Sequence, residues 1–203
     1  MRPKLLIATT SAGKLHEYRI LLRGVPFDLV SPVDVVIKTV VVETGKSFEE
    51  NARIKAQTLA QESQLLTLAD DSGLEVDALG GEPGVMSARY AGENASDADR
   101  VNYLLSKLRS VPQEKRTAHF RCVIAIARPS GMIDICSGES TGFIATEPRG
   151  KNGFGYDPIF FFHQLGKTMA ELPIEIKNRV SHRGQAAKKA RRILFRIARE
   201  AVK

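Results

Sequence analysis

The apolar residues of this chain change period near its middle. Val101, Leu104, Leu105 and Leu108 recur at the three- and four-residue spacing of a helix face, whereas Ala118, Phe120, Cys122, Ile124 and Ile126 alternate with mostly more polar neighbours. A helical pattern does not settle as a strand, nor an alternating one as a helix. The chain must therefore combine both element types, and its 203 residues suit one α/β domain with two lobes, residues 1–203. Residues 5–8 predict a short buried strand, followed by a helix with Leu15, Tyr18 and Leu22 on one face and Gly24 near its stop. Residues 33–42 are β-branched and predict an extended segment. Ser47-Phe48-Glu49-Glu50 has the Ser-x-x-Glu form that opens a helix, here with Phe48, Ala52, Ala56 and Leu59 at helical spacing. Residues 65–69 predict the next strand, closed by a Ser-Gly turn at Ser72-Gly73. Pro129-Ser130-Gly131 predicts a turn between the alternating strand and a return strand over 132–136. A third strand is expected over 140–146. The C-terminus predicts a basic amphipathic helix with Ala187, Ala190, Leu194, Ile197 and Ala201 on its apolar face.

Charge is unevenly distributed. The net charge is +7, yet residues 177–203 hold ten of the 30 Lys and Arg and one of the 23 acids, so that segment carries +9 and the remainder −2. No stretch approaches the ~20 apolar residues of a membrane span, and the apolar run near Met1 is too short for a secretory signal. Cys122 and Cys136 lack metal-ligand spacing. A cytoplasmic protein is the expectation.

Chemistry gathers at four places. Asp70 and Asp71 follow the apolar run 65–69, and on a strand they face opposite ways. Like charges so close need a compensating partner: one can meet metal or water while the other holds a lysine. Glu43, Glu49 and Glu50 are further oxygen donors, and Mg²⁺ favours carboxylates combined with substrate phosphates. Thr9-Thr10-Ser11-Ala12-Gly13-Lys14 departs from the P-loop pattern, because its first glycine would fall at Ala8 and Leu15 follows the lysine. It still offers small residues, a lysine and a helix N-terminus, the elements of an anion site. Gly153-Phe154-Gly155-Tyr156-Asp157 suits a loop around a flat ligand, or a plain turn with both rings in the core. Ser181-His182-Arg183-Gly184 offers donors for a base edge or phosphate, or a helix cap. Together these are parts for binding a nucleoside triphosphate with Mg²⁺. No serine or cysteine comes with an evident base, so water is the simpler nucleophile.

In family order, the stretches Thr9-Thr10-Ser11-Ala12-Gly13-Lys14, Glu43-Thr44-Gly45, Phe48-Glu49-Glu50-Asn51-Ala52, Ala69-Asp70-Asp71-Ser72-Gly73-Leu74, Ser87-Ala88-Arg89-Tyr90, the residues from Gly153 to Phe160, and Lys177 with Ser181-His182-Arg183-Gly184 run nearly the length of the chain. With them the sequence resembles the Ham1-like inosine triphosphate pyrophosphatase family. These enzymes hydrolyse non-standard purine nucleoside triphosphates such as ITP, dITP and XTP to the monophosphate and pyrophosphate. The resemblance implies a long, curved mixed β-sheet flanked by helices, two lobes around a central cleft, a homodimer and Mg²⁺ dependence. By position it implies that Asp71 is the catalytic carboxylate that holds metal and accepts the water proton, with Asp70 and Glu43 as acidic neighbours at the metal. Thr9, Thr10, Ser11, Ala12, Gly13 and Lys14 would contact the triphosphate, with Ser72 nearby. Phe154, Gly155, Tyr156, Asp157, Lys177, His182 and Arg183 would form the nucleoside pocket, with His182 or Arg183 facing the 6-oxo edge. The chain differs from many relatives at Ser11, where they carry Asn, and at Val42, where bacterial ones carry a second acid. Other readings are a nucleotide pyrophosphatase of different base specificity, a non-catalytic nucleotide sensor, and a nucleic-acid-binding protein using the basic helix, the last leaving the acidic and aromatic clusters unexplained.

Overall fold

The computed structural model describes residues 2–37 and 39–201. Seven strands form one open mixed sheet: β1 (Lys4–Ile7), β2 (Asp28–Val30), β3 (Leu66–Val76), β4 (Thr117–Ala127), β5 (Ile133–Ile144), β6 (Phe160–Phe162) and β7 (Lys167–Thr168), in the order β2-β1-β3-β4-β5-β6-β7. Parallel pairing joins β1 to β2 and β3, with Leu6 opposite Val30 and Thr67. Antiparallel pairing joins β5 to β6 and β6 to β7, with Phe143 opposite Phe161. The helices are α1 (Ala12–Leu21), α2 (Phe48–Ser63), α3 (Asp97–Lys107), α4 (Ile174–Val180) and α5 (His182–Glu200).

The chain divides into two compact units. The first comprises the residues up to Asp71, Cys122–Gly138 and those from Arg183 on; the second comprises Ser72–Arg121 and Glu139–His182. In the first, Leu5, Ile7, Tyr18, Leu22, Leu68 and Ile124 form one buried cluster with Ala186, Ala187, Ala190, Leu194 and Ile197 of α5. A second cluster packs Leu6 and Ala69 with Ala52, Ala56, Leu59 and Ala60 of α2. In the second unit, Leu74, Val76, Val101, Leu104, Leu108, Phe120 and Phe160 make the core with Tyr156 and Met169. The helix starts follow capping chemistry. Ser11, Ser47 and Ser96 each accept from the backbone N–H three residues on, and Ser96 with Asp99 completes a capping box. At Ser47 the box differs from its expected form, because Glu50 reaches the N–H of Lys46.

Four expectations are corrected. Ser72-Gly73 is no turn: β3 runs on to Val76, because Leu74 and Val76 keep the alternation inward. The strands expected over 132–136 and 140–146 are the single β5, whose inward positions between Cys136 and Ile144 are Gly138, Ser140 and Gly142, residues that carry no hydrophobic signal. The described residues of 33–42 form no strand. Ser31 N–H and Oγ both donate to Asp34, which closes a local turn, and Val33, Val40 and Val42 stay exposed; Lys38 lies outside the described residues. Ala201, expected on the apolar face of α5, follows its end and is exposed.

Candidate active site

The acid pair sits on β3, and the strand turns its two side chains to different partners. Asp70 is buried, with Oδ2 3.0 Å from Lys14 Nζ and 3.5 Å from Arg183. Arg183 is itself buried and lies 2.8 Å from Glu17 Oε2. Two cations thus meet two carboxylates, so the cluster closes neutral, the condition for burying charge at all. Cys122 Sγ lies 3.8 Å from the same Asp70 oxygen and 3.9 Å from Tyr18 Oη. Burial drives the Asp70 carboxyl upward, but Lys14, Arg183 and Lys55 outweigh it and hold the group well below the usual carboxylate range. Burial also pushes the Cys122 thiol up to about 12, which leaves it protonated and inert.

Asp71 meets α2 instead. Asn51 Nδ2 donates to its Oδ2 at 3.1 Å, and Lys55 Nζ lies 3.7 Å from Oδ1. The same ammonium is 2.9 Å from Glu43 Oε1. Burial raises the Asp71 carboxyl, Lys55 opposes this, and the Glu43 charge adds to the rise. Two adjacent acids therefore have environments that push their ionisation apart, an arrangement typical of acid–base chemistry. Asp71 is the one whose ionisation is shifted upward.

Glu43 and Asp71 converge on a single cation, here the Lys55 ammonium. Among the described residues no group of three or more His, Cys, Asp or Glu side chains converges as a metal cage. Mg²⁺ is commonly held by one or two carboxylates with substrate phosphates and water, so this donor set fits it. Asp70 Oδ1 is also buried and unpartnered among the described residues.

Residues 9–14 lead from β1 into α1. Thr9 Oγ1 accepts from Ser11 N–H at 3.1 Å and Ser11 Oγ from Lys14 N–H at 3.4 Å. Thr10 and Ala12 are exposed, while Gly13 and Lys14 are half-buried. The first-turn N–H groups of a helix lack acceptors within it and favour anions. Lys14, held by Asp70, adds a fixed positive charge there. Ser72 is half-buried on β3.

The second unit holds most of the expected nucleoside residues. Asp157 Oδ2 accepts from Phe154 N–H at 2.9 Å and from Lys177 Nζ at 2.5 Å, with the lysine ammonium 4.9 Å from the centre of the Phe154 ring. Asp157 and Lys177 are buried and Phe154 is half-buried. Gly153, at φ +78°, lies so close that a Cβ there would sit 2.0 Å from Asp157 Oδ2. Gly155 N–H donates to Asp97 at 2.6 Å. Tyr156 is buried in the core, and its hydroxyl donates to the Ser87 carbonyl at 2.9 Å. It thus anchors the loop from within. His182 is buried and stacks on Phe120, ring centres 4.6 Å apart and planes 11° apart. Arg183 belongs to the first unit, with Nη1 on Glu17 and Nη2 on Asp70.

Glu17, Asn51, Lys55 and Phe120 were given no role at the site from the sequence. A usable signal existed for three of them: Lys14 and Glu17 are three apart on α1, and Asn51 and Lys55 four apart on α2, spacings that share a helix face. The ten cations of residues 177–203 divide as well. Lys177 and Arg183 are buried in ion pairs, whereas Lys188, Lys189, Arg192, Arg196 and Arg199 are exposed on α5. Among the described residues no helix is long and apolar enough to cross a membrane.

Known proteins match this arrangement over nearly its whole length. The model of the Ham1 family matches residues 5–193. A dITP/XTP pyrophosphatase of Geobacter sulfurreducens is 56% identical over 183 residues, 90% of this chain and 92% of that protein. Another, of Desulforamulus reducens, is 50% identical over 194 residues, 96% of each. A solved structure of a HAM1 protein from Coxiella burnetii is 43% identical, with a TM-score of 0.86 over 95% of this chain and 98% of that one. With this extent of match, the chain belongs to the Ham1 family.

Proposed function

We propose that this protein hydrolyses non-standard purine nucleoside triphosphates, ITP, dITP and XTP, to the monophosphate and pyrophosphate, removing them from the nucleotide pool. Relatives 44–56% identical carry the name dITP/XTP pyrophosphatase. The observation that carries the chemistry is Asp71: a buried carboxylate with a raised pKa, hydrogen-bonded to Asn51 and set beside Lys55 and Glu43.

Glu43 and Asp71 are the residues that would hold Mg²⁺, with Asp70 beside Asp71 on β3 and its charge met by Lys14 and Arg183. When bound, Mg²⁺ supplies Lewis-acid neutralisation of phosphate charge. Asp71 orients a water and accepts its proton as the oxygen attacks the α-phosphorus. The bond from that phosphorus to the bridging oxygen breaks, and pyrophosphate departs with the electron pair. Lys14 and the N–H groups of residues 9–14 meet the charge that builds on it. Asp70, itself held by Arg183, acts behind Lys14 and fixes its ammonium. Base choice falls to Phe154, Lys177 and His182. A donor facing the 6-oxo acceptor of hypoxanthine or xanthine is left opposite an amino donor with adenine, a mismatch that discriminates strongly.

The resemblance to Ham1-like enzymes carries two further expectations, a homodimer and a cytoplasmic setting. A solution mass twice the 22.3 kDa of the chain tests the first. The function is tested by turnover of ITP, XTP, GTP, ATP and UTP with Mg²⁺, assaying pyrophosphate and orthophosphate separately. Preferred turnover of ITP and XTP with pyrophosphate release is expected. Equal turnover of all five overturns the specificity, and binding without turnover would make the protein a nucleotide sensor.

A further inference from the structure

Asn51 joins the two parts of the candidate metal site. It is 1% exposed at the start of α2. Its Nδ2 donates to Asp71 Oδ2 at 3.1 Å, and its Oδ1 accepts from Gly45 N–H at 2.8 Å. Gly45 lies two residues after Glu43 in the segment that leads into α2, so a single amide bonds both the strand that carries Asp71 and the segment that carries Glu43. A carboxamide can donate and accept from one head; an aspartate has no proton to give to Asp71, and a leucine can do neither. The close approach also requires glycine at 45. A Cβ there would lie 2.6 Å from Asn51 Oδ1, 2.6 Å from Glu50 Cβ and 2.9 Å from Asn51 N. Lys55 follows one turn later on the same helix face and bridges the same two acids. Charge balance thus comes from Lys55, whereas Asn51 contributes position.

We propose that Asn51 is a positioning residue that sets the separation of Glu43 and Asp71, and through it the affinity of that pair for a divalent cation. The inference rests on the reading that Glu43 and Asp71 hold the metal. Outer partners of metal-binding carboxylates typically contribute about 10–100-fold to metal affinity. A residue that only filled space would change folding and leave the metal constant alone.

The test is Mn²⁺ binding to the full-length protein by electron paramagnetic resonance, with the Mg²⁺ concentration for half-maximal activity, kcat at saturating Mg²⁺ and thermal melts alongside. Asn51→Leu removes both hydrogen bonds. Gly45→Ala leaves every side chain of the cluster chemically intact but drives a Cβ against Asn51 Oδ1, Glu50 Cβ and Asn51 N, and it carries the test if Asn51→Leu does not fold. Both are expected to weaken Mn²⁺ binding and raise the half-maximal Mg²⁺ about tenfold or more, with kcat recovering substantially at high Mg²⁺. Wild-type Mn²⁺ affinity in both variants, with only the melts lowered, overturns the proposal. Glu43→Gln and Asp71→Asn separate it from its foundation. If those two also bind Mn²⁺ normally, the assignment of the metal pair fails. If they lose Mn²⁺ while Asn51→Leu and Gly45→Ala keep it, only the role of Asn51 fails.

Discussion

The Arg183 guanidinium lies 2.8 Å from Glu17, and both groups are buried. Removing one member of a buried pair leaves an uncompensated charge, which costs about 3–5 kcal/mol. Arg183→Ala is therefore expected to lower the melting temperature by roughly 6–20 °C, at 2–4 °C per kcal/mol for a chain of this size. Glu17→Gln should destabilise in the same sense, and the double variant should lose less than the two single losses added together. Thermal melts check this. An unchanged melting temperature in Arg183→Ala would show that the pair has no structural weight.

Asp71→Asn keeps the shape of the side chain and removes its charge and its capacity to take a proton. kcat at saturating ITP and Mg²⁺ should fall by about 10²–10⁴, the usual range for general base catalysis. Its melting temperature should hold or rise, because burial already disfavours the charged form of Asp71. Asp70→Asn should retain more of kcat at saturating Mg²⁺ and lose more stability, since Lys14 and Arg183 then lack their shared counter-charge. A dead Asp70→Asn beside an active Asp71→Asn would exchange the two roles.

Acid stability should report on Asp70. Its folded pKa is depressed, so it contributes stability that is present above its unfolded value, about 3.9, and is lost as the pH falls through the folded value. Asp70→Asn should melt below the wild type at pH 7, and the gap should narrow as the pH drops from about 4 toward 2. Melts across that range provide the check; a constant gap would remove Asp70 as the source.

Gly153→Ala tests the nucleoside residues of the second unit. The new Cβ would sit 2.0 Å from Asp157 Oδ2, at a positive φ that disfavours any side chain. The Asp157 carboxylate must move, and with it the Lys177 ammonium and the Phe154 backbone N–H. KM for ITP should rise about tenfold, the equivalent of ~1.4 kcal/mol, while kcat changes little. Steady-state kinetics on ITP decide it; an unchanged KM would show that the Asp157–Lys177 pair does not touch the nucleoside.

Much of this was legible in the sequence, and the gaps have physical causes. The alternation from Ala118 to Ile126 located β4, and Ser47 marked a helix start because capping leaves a chemical signature. The continuous β5 was hidden because glycine and serine fill its inward positions. The run 33–42 read as a strand because β-branched residues dominate it, but the Ser31–Asp34 turn prevailed locally. In the site, the opposite facing of Asp70 and Asp71 followed from strand periodicity alone. A lysine partner for one of them was also expected, and Lys14 is that partner of Asp70; Arg183 was not, because it reaches Asp70 from 113 residues away and no local pattern carries that pairing. Lys55 and Asn51 lay in a stretch whose helical spacing already explained it, and although Asn51 falls within a stretch shared with the family, the polar face they form was given no role.

The central claim is that water activated by Asp71 attacks the α-phosphorus. Hydrolysis of ITP in ¹⁸O-enriched water with Mg²⁺, followed by mass analysis of both products, tests it most directly. One ¹⁸O in inosine monophosphate and none in pyrophosphate is the predicted result. Label in pyrophosphate would place the attack on the β-phosphorus, and release of labelled orthophosphate would place it on the γ-phosphorus; either contradicts the account.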